Sequence, residues 1–150
     1  ESVLVMNGDS YCQVDFTAFL QRHRSKNALA TMLLARIGDV TRYGAVQIAE
    51  DGLVLNFVEK GGCSGPGWIN AGVYLVRREA ISEIAEKRVV SLEREVFPRW
   101  VGGKLYGYKS EGKFLDIGTP EDYTKANSFF ESIDSASHGD CGQRQNGGLI

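Results

Sequence analysis

The sequence predicts a mixed α/β domain, in which covering helices pack on a partly parallel sheet that carries an antiparallel hairpin arm. An apolar run at 3–6 ends abruptly in Asn7-Gly8-Asp9-Ser10, which is typical of a buried parallel strand with a polar C-terminal tip. Helical spacing of apolar residues follows at 14–24, and a second near-continuous apolar run follows at 28–37. Strand, helix and strand of these lengths indicate a βαβ unit.

The third observation is a hairpin signal. Asp51-Gly52 lies between apolar runs at 44–49 and 53–58, and Asp-Gly in that position favours a tight antiparallel turn. Local patterns then predict the remaining elements in order: a flexible glycine-rich loop at 61–67, a strand at 68–76, helices at 78–87 and 91–98, a strand at 105–108, a strand tip at 114–119 and a helix at 120–133 that Thr119 caps.

Length and composition predict one folded domain at 1–133 and a disordered polar tail at 134–150. The tail is rich in Ser, Gly, Gln, Asn and Asp, so it lacks the apolar surface that ordering needs. The net charge of −2 gives no broad basic field for nucleic acid, and no apolar stretch is long enough to span a membrane.

Cysteine and histidine usage indicates a reduced, cytoplasmic protein without a zinc site. The three cysteines, Cys12, Cys63 and Cys141, are scattered and form no Cys-x-x-Cys pair. The two histidines, His23 and His138, are isolated in the sequence, and we expect both at the surface rather than in a ligand set.

Asp9 and Asp116 each close an apolar, strand-like run and precede a turn. Carboxylates from two strand ends can converge on a hard divalent cation such as Mg²⁺, together with waters and substrate phosphates. The alternative is that each aspartate only caps the helix or turn that follows it.

Glu59-Lys60 follows a hairpin strand and precedes the glycine-rich loop. A lysine there can neutralise a phosphate, and a glutamate can accept hydrogen bonds from sugar hydroxyls. The alternative is a solvated ion pair at a strand end.

Two further clusters combine glycine with polar or aromatic residues. Asn70-Ala71-Gly72 interrupts an apolar strand; the glycine indicates close approach of a ligand or another backbone, or else a bulge with local hydrogen bonds. Tyr43 and Gly44, with Arg42 before them, stand at a strand start, where the alternative for Tyr43 is a plain packing role.

The order of these motifs resembles the sugar-1-phosphate nucleotidyltransferases, above all the mannose- or heptose-1-phosphate guanylyltransferase and glucose-1-phosphate thymidylyltransferase branches. Five motifs match in sequence over residues 3–130: Asn-Gly-Asp, Arg-Tyr-Gly, Phe-Val-Glu-Lys, Asn-Ala-Gly-Val-Tyr and Leu-Asp-Ile-Gly-Thr-Pro-Glu-Asp-Tyr. The resemblance implies a partial Rossmann-like nucleotidyltransferase fold. It also implies a reaction in which a sugar 1-phosphate attacks the α-phosphorus of a nucleoside triphosphate and releases pyrophosphate.

The resemblance assigns a role to each candidate. It implies that Asp9 and Asp116 bind Mg²⁺, and that Lys60 holds the sugar phosphate while Glu59 holds the sugar hydroxyls. It places the remaining candidates around the substrate: Tyr43, Gly44, Asn70 and Gly72.

The chain also departs from the family pattern. The family's glycine-rich loop ending in Thr-Arg-Leu, with a Pro-Lys pair after it, cradles the triphosphate, and neither occurs in these 150 residues. We therefore expect a C-terminal portion of a nucleotidyltransferase that does not catalyse transfer alone, or alternatively a non-catalytic sugar-phosphate-binding or self-assembling module. We also expect the strand at 3–6 to have an uncovered edge through which copies of the chain associate.

Overall fold

The computed structural model describes residues 1–58, 60–84, 86 and 88–137. The chain divides into two compact units, Glu1–Phe114 and Leu115–Ile150. In chain order, the elements of the first unit are β1 (Ser2–Met6), β2 (Ser10–Cys12), α1 (Phe16–Ser25), β3 (Ala30–Ile37), β4 (Ala45–Ile48), β5 (Val54–Val58), β6 (Gly67–Arg77), α2 (Arg78–Ser82), a π-helical turn (Leu92–Val96), a 3₁₀ turn (Phe97–Arg99) and β7 (Leu105–Ser110). Strand β8 (Phe114–Asp116) begins at the last residue of this unit.

The main sheet of the first unit is mixed. Its described strands lie in the order β1, β6, β3 and β7. Strand β6 is antiparallel to both β1 and β3, whereas β3 and β7 are parallel. The prediction of a partly parallel sheet with covering helices is confirmed. The simple βαβ unit is not, because β6 lies between β1 and β3.

Strand β3 runs through the middle of the core. Met32 and Leu34 pack on one face of the sheet with residues of the β4–β5 hairpin and the 3₁₀ turn, and Leu33 packs on the other face with Phe19 of α1. All four are fully buried. A strand covered on both faces needs a continuous apolar sequence, and burial of each large side chain contributes roughly 2 kcal/mol. This double coverage explains the near-continuous apolar run at 28–37.

Strand β1 corrects one expectation. It pairs with β6 in antiparallel register and lies at the edge of the sheet, so the prediction of a buried parallel strand is wrong. Val3, Leu4 and Met6 are 43%, 44% and 52% exposed. A short apolar run cannot by itself distinguish a doubly covered strand from an apolar edge strand. The sequence was right that this strand ends in a polar turn, because β1 stops at Met6 and Asn7 begins the turn.

The predicted hairpin is confirmed. Strands β4 and β5 pair antiparallel, and Gly52 takes a φ of +88° in the turn between them. The turn is fixed to the sheet, because the Gly107 amide donates to the Gly52 carbonyl at 2.8 Å and Arg22 Nη2 donates to the Asp51 carbonyl at 2.7 Å. The hairpin is therefore a fixed wall of the unit.

His23 is buried, contrary to the expected surface position. Its Nε2 lies 2.9 Å from Ser2 Oγ and its Nδ1 lies 2.8 Å from Thr31 Oγ1. Burial, and then the charges of Arg77 and Arg24, lower the pKa of the imidazole. His23 follows Phe19 and Leu20 at helical spacing within the run at 14–24, so the apolar face of the predicted helix was the sequence signal of its burial. His138 lies outside the described residues.

The second unit contains α3 (Pro120–Thr124) and α4 (Ala126–Ser137). Thr119 caps α3 as predicted, with its side chain accepting from the Asp122 amide. The single helix expected at 120–133 is divided at Lys125, and α4 continues to Ser137. A disordered tail is expected at 134–150. Residues 134–137 of this range belong to α4, and residues 138–150 lie outside the described residues. Within the described part of the chain, none of the helices is both long and apolar enough to cross a membrane.

Candidate functional site

A cavity of about 250 Å³ opens between the β4–β5 hairpin, strand β6 and the π-helical turn. Four residues singled out by the sequence line it together: Tyr43, Gly44, Lys60 and Asn70. Apolar side chains of the hairpin form one wall, and charged residues of the π-helical turn form another; the further lining residues are Ala45, Val46, Phe57, Val58, Glu93 and Arg94. The cavity therefore offers cations, a carboxylate, an amide and an apolar floor to one small ligand.

The turn before β4 places the Tyr43 ring and the Gly44 backbone at the cavity. The amides of Tyr43 and Gly44 both donate to the Val40 carbonyl, at 3.0 and 2.9 Å, and Gly44 takes a φ of +75°. The Tyr43 ring packs edge-on against Phe114, with 6.0 Å between the ring centroids. Tyr43 is thus a packing residue that also lines the cavity, and its role towards a substrate stays a prediction.

Lys60 is exposed and stands at the start of the glycine-rich loop. Hydrogen bonds to the segment at 39–41 hold the backbone of this loop in place. Asp39 Oδ1 accepts from Thr41 Oγ1 at 2.6 Å, from the Thr41 amide at 3.0 Å and from the Gly65 amide at 3.2 Å. These bonds, of which the Thr41 hydroxyl bond is the largest cause, lower the pKa of Asp39. The Gly61 amide adds a 3.0 Å bond to the Thr41 carbonyl, so the backbone next to Lys60 is held at the cavity.

Asn70 takes part in a three-residue hydrogen-bond network. Its Nδ2 donates to Tyr74 Oη at 2.8 Å and to Glu93 Oε1 at 2.9 Å. Its Oδ1 accepts from the Gly72 amide at 3.0 Å. Tyr74 Oη in turn donates to Glu93 Oε1 at 2.5 Å. The network joins β6 to the π-helical turn, so a strand residue and a turn residue form one polar wall.

Gly72 contacts the backbone segment that carries Asp9. Strand β6 bulges here, since Tyr74 pairs with Met32 and Asn70 with Leu34. Gly72 has a φ of +76°, and a Cβ atom there would lie 2.6 Å from Ser10 Oγ and 2.8 Å from Asn7 Nδ2. The Asn7 amide donates to the Gly72 carbonyl at 2.8 Å. The bulge and the close backbone approach, two alternatives in the sequence, therefore occur together.

The two candidate metal ligands belong to different units. Asp9 is exposed in the turn between β1 and β2 of the first unit. Asp116 is half-buried in the second unit, where its Oδ1 accepts from the Gly118 amide at 2.8 Å. In the described part of the chain, no three His, Cys, Asp or Glu side chains are grouped to hold a metal ion.

Half of the predicted site residues thus line the cavity. Two further lining residues, Glu93 and Arg94, are not among the predicted ones. Glu59 lies outside the described residues. The sequence pattern places Glu93 and Arg94 in a short helix without a functional role, whereas both line the cavity. Their sequence signal was weak, because charged residues after a capping serine are typical of any helix start.

The fold and this cavity define an α/β protein with a polar, cation-lined site beside the bulged strand. The chain belongs to the nucleotidyl transferase family, whose model matches residues 1–133. The resemblance inferred from the five ordered motifs is confirmed at that level.

Curated relatives and solved structures agree with this family. The chain is 37% identical over 131 residues to mannose-1-phosphate guanylyltransferase of Mycobacterium tuberculosis, with 85% of this chain and 36% of the relative covered. It is 38% identical to D-glycero-alpha-D-manno-heptose 1-phosphate guanylyltransferase of Aneurinibacillus thermoaerophilus, covering 84% and 54%.

The structure resembles the crystal structure of HddC from Yersinia pseudotuberculosis, with a TM-score of 0.73 and 33% identity, over 86% of this chain and 55% of HddC. A complex of HddC with GMP-PN matches equally well. The chain spans between about a third and about half of the length of these relatives.

Proposed function

We propose that the cavity binds a sugar 1-phosphate, and that the chain supplies the sugar-phosphate side of a nucleotidyl transfer reaction. The observation that carries the proposal is the cavity lining, in which Lys60, Arg94, Asn70 and Gly44 surround one space. Relatives named for mannose 1-phosphate and heptose 1-phosphate support this ligand class. In the reaction, an oxygen of the sugar phosphate bonds to the α-phosphorus while the bond to pyrophosphate breaks.

The chemistry of the lining fits such a ligand. The ammonium group of Lys60 and the guanidinium group of Arg94 can neutralise the phosphate, and the polar wall at Asn70 can bond hydroxyls. The apolar side chains of Val46 and Phe57 can face the C–H groups of the sugar ring. These groups bind and orient the sugar phosphate, which is the main contribution that a protein makes to phosphoryl transfer.

Mg²⁺ is the metal that the family implies. Carboxylate oxygens are the ligands that Mg²⁺ prefers, with substrate phosphates and waters completing its coordination, and Asp9 and Asp116 supply such oxygens. Asp9 is exposed, and Oδ1 of Asp116 accepts a hydrogen bond from the Gly118 amide. We propose these two residues as the ligands. The ion would neutralise charge on the reacting phosphates.

Binding of the nucleoside triphosphate needs residues that these 150 residues do not contain. The glycine-rich loop and the Pro-Lys pair of the family pattern are absent from these 150 residues. We therefore propose that a segment outside this sequence supplies the nucleotide side of the site. Purified chain with Mg²⁺, mannose 1-phosphate and each of the four common nucleoside triphosphates is expected to release no pyrophosphate above a blank.

Equilibrium binding tests the sugar-phosphate site directly. Calorimetric titration is expected to show that the chain binds mannose 1-phosphate more tightly than it binds either mannose or inorganic phosphate, because the cavity contacts both parts of the ligand. Equal affinity for mannose 1-phosphate and inorganic phosphate would reduce the site to a phosphate site. Absence of binding to all three would contradict the proposal.

A non-catalytic, self-assembling module is the second candidate, and the edge strand favours it. Strand β1 exposes Leu4 on an edge whose outer backbone groups have no partner strand in the described sheet, and such edges promote pairing between chains. Light scattering is expected to give an oligomer for the wild-type chain and a monomer for Leu4→Lys. Leu55→Lys is the matched control, since Leu55 is 51% exposed on another strand. A monomeric wild-type chain at micromolar concentration would contradict this proposal.

A further inference from the structure

The carboxylate in the cavity stands on an unusual and well-anchored turn. Glu93 belongs to the π-helical turn Leu92–Val96, a rare backbone conformation. Ser91 caps the turn by accepting from the Arg94 amide at 3.2 Å. At its other end, Val96 and Phe97 are buried in the core. The backbone that carries Glu93 is thus held at both ends.

The side chain of Glu93 is also fixed in orientation. Tyr74 Oη and Asn70 Nδ2 donate to the same oxygen, Oε1, at 2.5 and 2.9 Å. The other oxygen, Oε2, has no hydrogen bond to any described residue. Glu93 lines the cavity that Lys60 also lines, and its side chain is exposed. One oxygen therefore holds the carboxylate in place while the other remains available to a ligand.

Tyr74 Oη and Asn70 Nδ2 both remain hydrogen-bond donors to Glu93 Oε1. Burial, followed by the hydrogen bond to Glu93, raises the pKa of Tyr74, so the phenol keeps its proton and donates at any physiological pH. Asn70 Nδ2 can only donate. Glu93 lines the cavity, and a carboxylate oxygen there can only accept, so it selects hydroxyl or amine donors.

We propose that Glu93 is a specificity-determining residue, whose Oε2 accepts a hydrogen bond from a hydroxyl of the sugar 1-phosphate. This inference rests on the proposed function. Tyr74 and Asn70 act through Glu93 as positioning residues. A site with a fixed polar partner for a hydroxyl discriminates strongly against ligands that lack it, because the partner is then left unpaired.

The test compares Glu93→Gln with the wild-type chain by calorimetric titration. The ligands are mannose 1-phosphate, its four monodeoxy analogues (at carbons 2, 3, 4 and 6) and inorganic phosphate. The matched control is Glu95→Gln on the same turn, because Glu95 pairs with Arg88 and does not line the cavity. Circular dichroism melting verifies that each variant is folded, and Tyr74→Phe provides a second variant that loosens the carboxylate without changing its charge.

Glu93→Gln is expected to weaken mannose 1-phosphate binding by about tenfold, the usual effect of losing a hydrogen bond to a charged group. Binding of inorganic phosphate should be unchanged. One deoxy analogue should bind wild-type and Glu93→Gln chains equally, which would identify the hydroxyl that Glu93 contacts. Tyr74→Phe should show a smaller loss with the same ligand pattern, and Glu95→Gln should behave as the wild-type chain.

Two results would overturn the inference, and each differs from failure of the proposed function. Equal affinity of wild-type and Glu93→Gln chains for mannose 1-phosphate would exclude the contact. A parallel loss for mannose 1-phosphate and inorganic phosphate would reduce the role of Glu93 to a structural one. If the wild-type chain bound no sugar phosphate, the proposed function itself would fail, and the inference would fall with it.

Discussion

Replacing Gly72 with alanine is expected to lower the free energy of unfolding by about 3 kcal/mol, the sum of a left-handed backbone penalty and an overpacking cost. Gly72 has a φ of +76°, which an alanine adopts only under strain. The added Cβ would lie 2.6 Å from Ser10 Oγ and 2.8 Å from Asn7 Nδ2. Asn7 and Ser10 lie on either side of Asp9, so we expect the clash to displace a candidate metal ligand as well.

Urea unfolding measures the first effect, and amide chemical shifts at Asn7 and Asp9 report the second. Gly38→Ala is the matched control. A Cβ at Gly38 meets no atom within 4 Å, and its φ lies outside the left-handed region, so this change should be neutral or slightly stabilising. If Gly72→Ala and Gly38→Ala unfolded at the same urea concentration, the role assigned to the bulge would be wrong.

Replacing Lys60 with alanine is expected to weaken mannose 1-phosphate binding by about tenfold or more, because a charged hydrogen-bond donor to the phosphate is lost. Binding of inorganic phosphate should fall in parallel, since the sugar is not involved in this contact. The melting temperature should change little, because the Lys60 side chain is exposed and exposed substitutions are usually near neutral.

Calorimetric titration measures the loss, and Lys104→Ala is the control, because Lys104 is exposed and does not line the cavity. A Lys104→Ala chain should bind as the wild-type chain does. Undiminished binding by Lys60→Ala would remove Lys60 from the site and leave Arg94 as the cation that holds the phosphate.

The fold was predictable where a local pattern had one structural solution. Asp51-Gly52 between apolar runs specified the hairpin, and the near-continuous apolar run at 28–37 specified a buried strand, as β3 is. The run at 3–6 was ambiguous, because its apolar residues suit an exposed edge as well as a buried strand. Pairing direction depends on β6, which lies more than 60 residues away in the sequence.

The candidate site was predictable only in part, because a cavity is a tertiary property. Gly44, Lys60 and Asn70 were found from local composition and motif order. The meeting of Asn70 with Glu93 was not, since it depends on how the π-helical turn packs against β6. Likewise, the contact between Gly72 and Asn7 joins two motifs that the sequence presented separately.

The central claim is that the cavity between the hairpin, β6 and the π-helical turn is the sugar 1-phosphate site. Amide NMR spectra recorded during titration with mannose 1-phosphate test it most directly. We expect the shifts to concentrate at lining residues, with Gly44, Asn70 and Arg94 among the largest, and we expect Lys60→Ala to reduce them at the same subsaturating ligand concentration. Shifts confined to residues away from this cavity would contradict the assignment.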